Sequence, residues 1–78
     1  MGLNLLIPVG SPIVELFLDL LQASEGAGEV TPQAAYVGRA HLYRTQAAVR
    51  SARVSPVVAA SMAAQIYRRA QAGFVDAV

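Results

Sequence analysis

The chain has no cysteine, no lysine, no tryptophan and a single histidine, and its apolar residues never form a long unbroken run. Without cysteine there can be no disulfide, thiolate metal site or cysteine nucleophile, and redox compartment leaves no mark on the sequence. His41 has no second imidazole, and the five carboxylates are scattered. No cluster has metal-ligand spacing, and neither an HExxH helix nor a nucleophile elbow is present. An enzyme is therefore not expected, and neither is a cofactor, a metal or a small-molecule substrate. The longest uncharged runs, Met1 to Val14 and Val54 to Tyr67, hold 14 residues each and contain proline, whereas a spanning helix needs about 20 apolar residues. No cation precedes Arg39, so the basic region that opens a secretory signal is missing. Membrane association stays open but is not favoured.

What the chain does have is apolar surface in excess of its size. Of its 78 residues 55% are hydrophobic and only 14% charged, and mean hydropathy is +0.46. A single domain this small buries only about 60% of the surface that its unfolded chain exposes. The surplus needs a partner, a second copy or a bilayer. Low charge argues equally against disorder, since disordered chains are poor in apolar residues and rich in net charge.

Three Ser/Thr-Pro pairs, Ser11-Pro12, Thr31-Pro32 and Ser55-Pro56, divide the sequence. Each sets an N-capping oxygen before a proline whose φ already suits a first helical turn. The reading is one domain over residues 1 to 78: an irregular apolar arm (1 to 11), a helix (12 to 23), a glycine-rich loop (24 to 31) and a helix (32 to 72) with a kink or break at 54 to 56. Gly73 stands where a helix-ending glycine is expected. Residues 50 to 54 contain no glycine or asparagine to take a left-handed conformation, which favours a kinked long helix over a sharp reversal. The expected fold is all-α, a helical hairpin of one shorter apolar helix and one longer helix kinked near Pro56, packed in a multi-subunit array.

The first helix is apolar around most of its circumference, with only Glu15, Asp19 and Gln22 as a polar stripe. A helix of that kind is buried on most sides, and the rest of the chain is too short to surround it. Leu16, Phe17, Leu20 and Leu21 are accordingly candidates for subunit packing, together with Gly38 from the small residues spaced four apart, which let helix axes approach closely. A weak repeat at an offset of 24 matches Val30, Pro32, Ala35, Ala40, Tyr43 and Arg44 to Val54, Pro56, Ala59, Ala64, Tyr67 and Arg68.

Charge is sorted along the chain. Residues 1 to 31 carry Glu15, Asp19, Glu25 and Glu29 and no cation, while residues 32 to 78 carry six arginines and only Asp76. Such a chain can pair its halves between subunits or turn the basic half to a polyanion. On a continuous helix at about 100° per residue, Arg39, Arg50 and Arg53 fall within about 60° of one another and Arg44 points elsewhere. If the helix kept its phase through Pro56, Arg69 would join Arg44. Guanidinium stripes suit phosphate backbones, which they grip bidentately without reading sequence. A solvated face or intersubunit ion pairs would use the same pattern. Arg39, Arg50 and Arg53 are the candidate DNA-backbone contacts. Tyr36, Tyr43 and Tyr67 could stack on bases, although tyrosines more often sit at packing boundaries.

An apolar start from Leu3 to Val9, the Gly26-Ala27-Gly28 loop and the arginine-bearing remainder together resemble the small helical coat proteins of rod-shaped or filamentous DNA virions. The chain looks most like the major coat proteins of bacilliform viruses of hyperthermophilic archaea, the clavavirus group. The resemblance covers the whole chain and rests on size and character, with no diagnostic motif. It implies a helix hairpin packed in many copies into a tube around a double-stranded DNA genome, located in the virion. One departure is the complete lack of lysine, since hyperthermophile proteins tend to be rich in Lys and Glu. The competing classes are a small membrane-associated helical protein and a small helical regulator that binds DNA or a partner.

Overall fold

The computed structural model describes residues 10–75; residues 1 to 9 of the expected arm lie outside the described residues. These form three helices and no strand: α1 (Pro12–Gly26), α2 (Pro32–Arg50) and α3 (Pro56–Gln71). All three start by one device. The side chains of Ser11, Thr31 and Ser55 accept backbone N–H bonds from the first turn, and a proline follows each cap. Each cap contributes about 1 kcal/mol and sets where its helix begins.

The three helices also end alike. At α1 the Gly28 N–H donates to the Glu25 carbonyl and the Glu29 N–H to the Ser24 carbonyl; at α3 Gly73 donates to Ala70 and Phe74 to Arg69. Both glycines are left-handed, at φ 78° and 76°. This is the Schellman closure, in which a left-handed residue lets the chain double back on the last carbonyls. At α2 the same two bonds run from Ala52 to Val49 and from Arg53 to Ala48, and the left-handed residue is Ala52, at φ 59°.

Two expectations are thereby corrected. The first helix runs through Gly26 rather than stopping at Ala23, because its closure is built on Gly28. The long helix kinked near Pro56 is instead two helices, broken at residues 51 to 55. Ala52 takes the conformation that was reserved for glycine or asparagine, and Pro56 opens a new helix instead of bending an old one.

Among the described residues, five of the nine buried apolar residues are alanine. Val14, Leu21, Val30, Ala34, Ala35, Leu42, Ala59, Ala63 and Ala70 form the buried cluster, and the largest side chains fully buried among the described residues are Leu21, Leu42 and Val14. All three helices come together at Gly38, where a Cβ would lie 2.9 Å from a δ-methyl of Leu21 on α1 and 3.5 Å from the Cβ of Ala70 on α3. Around this apolar centre sit two polar ties. The Ser24 and Tyr67 hydroxyls share a 2.6 Å hydrogen bond between α1 and α3, and the Tyr67 ring lies tilted against Phe17 at 5.7 Å. The Gln46 amide closes a two-bond ring on Ser11: its Oε1 accepts the Ser11 N–H at 2.7 Å and its Nε2 donates to the Ser11 carbonyl at 3.1 Å. Gly10 lies beneath that amide, and any Cβ there would collide with the Gln46 side chain.

Ala52→Gly is expected to raise stability by about 1 kcal/mol, since glycine takes the left-handed region without the cost a Cβ incurs; circular-dichroism melting checks this, and a lower midpoint would contradict the assignment. Gln46→Ala leaves the buried Ser11 N–H and carbonyl without their long-range partner and is expected to cost about 1–3 kcal/mol, read from the denaturant midpoint.

Candidate functional site

The side chains left outside the bundle are unusually large and apolar. On α1, Ile13, Leu16 and Leu20 are exposed, Leu16 to 51%, and they fall within about 60° of one another on the helix. On α2 the exposed set is Tyr36, Val37 and Tyr43, and on α3 it is Val57, Val58 and Met62, with Val57 at 80%. The interior mixes alanine with Val14, Leu21, Val30 and Leu42, and valine, leucine, isoleucine and tyrosine also stand on the surface.

The residues proposed for subunit packing divide accordingly. Leu16 and Leu20 stand on the outer face of α1, and Phe17 is half-buried against Tyr67. Leu21 and Gly38 are corrected: both are buried, packed against each other inside the bundle, and have no surface to offer a neighbour.

The arginines divide as well. Between α1 and α2 runs a groove of about 260 Å³ lined by Glu15, Leu18, Asp19, Gln22, Arg39, Tyr43, Gln46 and Arg50. Here the two cations face two carboxylates, and Arg39 also donates from Nη1 to Oε1 of Glu25 at 2.9 Å. The structure thus brings Arg39 and Arg50 together, but in an acidic setting. Arg53 is separated from them. It lies beyond the end of α2, in the reversal, with its Nε donating to the Ser51 hydroxyl at 2.8 Å. The three-arginine stripe assumed one continuous helix and ends with it.

Between α2 and α3 is a second groove, of about 320 Å³, lined by His41, Arg44, Thr45, Ala48, Met62, Gln65, Ile66 and Arg69. No carboxylate lines it among the described residues. His41 stacks on Phe74 at 5.7 Å, and the Arg69 guanidinium lies 5.5 Å from the same ring. Sequence phase had set Arg44 and Arg69 on one side only for an unbroken helix. They do lie together, but because α3 folds back along α2. The Thr45 hydroxyl bonds to the His41 carbonyl at 2.9 Å, so it is a back-bonded helix residue and not a free nucleophile.

Among the described residues no group of three or more His, Cys, Asp or Glu side chains converges, and no helix is long and apolar enough to cross a membrane. Comparison with protein-family models, curated proteins and solved structures finds no match.

The Glu25 to Arg39 pair is about one-third exposed on both sides, and pairs of that kind contribute at most about 1 kcal/mol. A double-mutant cycle with Glu25→Gln and Arg39→Gln is expected to give a coupling in that range that shrinks as salt is raised; a larger, salt-insensitive coupling would contradict this.

Proposed function

We propose that the protein is a structural subunit that self-assembles in many copies into a rod-shaped or helical virion shell around double-stranded DNA, holding the phosphate backbone through arginines without sequence specificity. The observation that carries the reading is the placement of exposed apolar residues on all three helices of a bundle whose interior is already filled. A two-fold dimer covers one self-complementary patch. Exposed apolar residues on three separate helices suit more than one neighbour, and head-to-tail contacts close into rings when the rotation between copies closes and propagate as filaments when it does not.

A membrane-surface role fits less well. Interfacial helices carry cations beside their apolar face and draw on anionic lipid, whereas α1 carries Glu15, Asp19 and Glu25 and no cation.

Negative-stain microscopy of the purified chain is expected to show rods or filaments, and Leu16→Glu with Leu20→Glu is expected to release small folded species on sizing chromatography. A small monodisperse wild type, or flotation with liposomes without self-assembly, overturns the proposal.

A further inference from the structure

Ile13, Leu16 and Leu20 stand on the outside of the bundle, and Ala23, also exposed, continues the row. Their spacing of three, four and three residues makes one stripe on α1, about 15 Å long at 1.5 Å per residue. Residues 1 to 9 lie outside the described residues, and their sequence holds no charged side chain. An extended chain turns alternate residues to one side, which would group Leu3, Leu5, Ile7 and Val9 opposite Asn4, Leu6 and Pro8. From Leu3 to Val9 such a chain spans about 20 Å at about 3.3 Å per residue, enough to cover the stripe. We infer that the Leu3 to Val9 segment of one copy docks on the Ile13, Leu16 and Leu20 face of α1 in a neighbouring copy. The inference rests on the shell reading for that neighbour.

Where the chain leaves the bundle favours a neighbour's arm over the copy's own. Both backbone groups of Ser11 are bonded to Gln46 on α2, and Gly10 lies beneath the same amide, so the chain enters α1 on its α2 flank. On α1 that flank is lined by Glu15, Leu18, Asp19 and Gln22, and the centre of the apolar stripe lies about 130° further round the helix. A copy's own arm has to cross the end of α1 and reverse before it reaches this stripe. A neighbour's arm arrives without that reversal. Charge decides against a second α1 as the occupant. Each α1 carries Glu15, Asp19 and Glu25 and no cation, so two of these faces laid together add acid to acid, and like-charge juxtaposition selects against the wrong partner. The arm brings no charged side chain. Donor segment and receiving face are different surfaces, so each copy gives one arm and takes one. That is the head-to-tail relation that extends into a filament when it does not close.

The chain has no cysteine, so introduced thiols report only the contact under test. Full-length Leu5→Cys and Leu16→Cys variants are purified apart, mixed under reducing conditions, co-assembled and oxidised, with Val57→Cys, exposed on α3, as the control acceptor. The expected product is a disulfide joining positions 5 and 16 of different copies, in excess of any joining 5 and 57. Leu5→Glu with Ile7→Glu is expected to abolish rods and leave small species of unchanged helical circular dichroism, the same loss as Leu16→Glu with Leu20→Glu. Equal products at 16 and 57 overturn the inference. So does a chain carrying both Leu5→Cys and Leu16→Cys that closes only on itself, in favour of the copy's own arm. A product joining two positions 16 in place of 5 and 16 overturns it in favour of paired α1 faces. Rods that survive Leu5→Glu with Ile7→Glu overturn it and leave the shell reading intact. A product between copies at 5 and 16 in a chain that forms only closed small oligomers supports the docking and overturns the shell. Flotation with liposomes that Leu5→Glu with Ile7→Glu abolishes, with no cross-linked product, overturns it in favour of lipid.

Discussion

Three helices meet at Gly38, where Leu21 of α1 and Ala70 of α3 fill the space into which a Cβ would project. The rest of the buried apolar cluster mixes Ala34, Ala35, Ala59 and Ala63 with Val14, Val30 and Leu42. An alanine-lined interior gains less from each buried residue than a leucine-lined one, because hydrophobic stabilisation follows the apolar area removed from water. Larger apolar side chains stand on both sides of the boundary, Leu21 and Leu42 inside and Leu16, Leu20 and Val57 outside.

Polar ties at the two ends of the bundle make up for some of that weakness. Gln46 fixes the entry to α1 by bonding both backbone groups of Ser11, and Tyr67 fixes its last turns by bonding Ser24. Both ties are buried or partly so, where a missing partner is expensive, and both connect residues far apart in sequence. They specify one arrangement of helices that alanine contacts alone, being small and interchangeable, would specify poorly.

Helix starts were legible because their signal is local: a capping hydroxyl followed by proline leaves few alternatives. The stops were legible only where glycine marks them. The closure at Ala52 carries no residue-type signal, since an alanine at positive φ is held by packing of α3 against α2, and packing of that kind cannot be read from five residues. The error then spread. Treating residues 32 to 72 as one helix put Arg53 in phase with Arg39 and Arg50, and it counted Gly38 among outward small residues when it faces inward. The 24-residue repeat shows the same limit: it correctly pairs the caps Thr31 and Ser55, yet its matched tyrosines end in different settings, Tyr43 exposed and Tyr67 bonded to Ser24.

Reversal of the chain at Ala52 also decides where positive charge collects. On a straight rod the six arginines would be spread along a length exceeding any local binding site. Folding α3 back along α2 brings Arg69 beside Arg44, while docking α1 on the other side of α2 brings Glu15 and Asp19 to Arg39 and Arg50. A chain of net charge +1 thus sets Arg39 and Arg50 among carboxylates on one flank of α2 and Arg44 beside Arg69 on the other. Segregation along the sequence becomes segregation around the bundle, and the residue that converts one into the other is an alanine in a conformation that alanine seldom adopts.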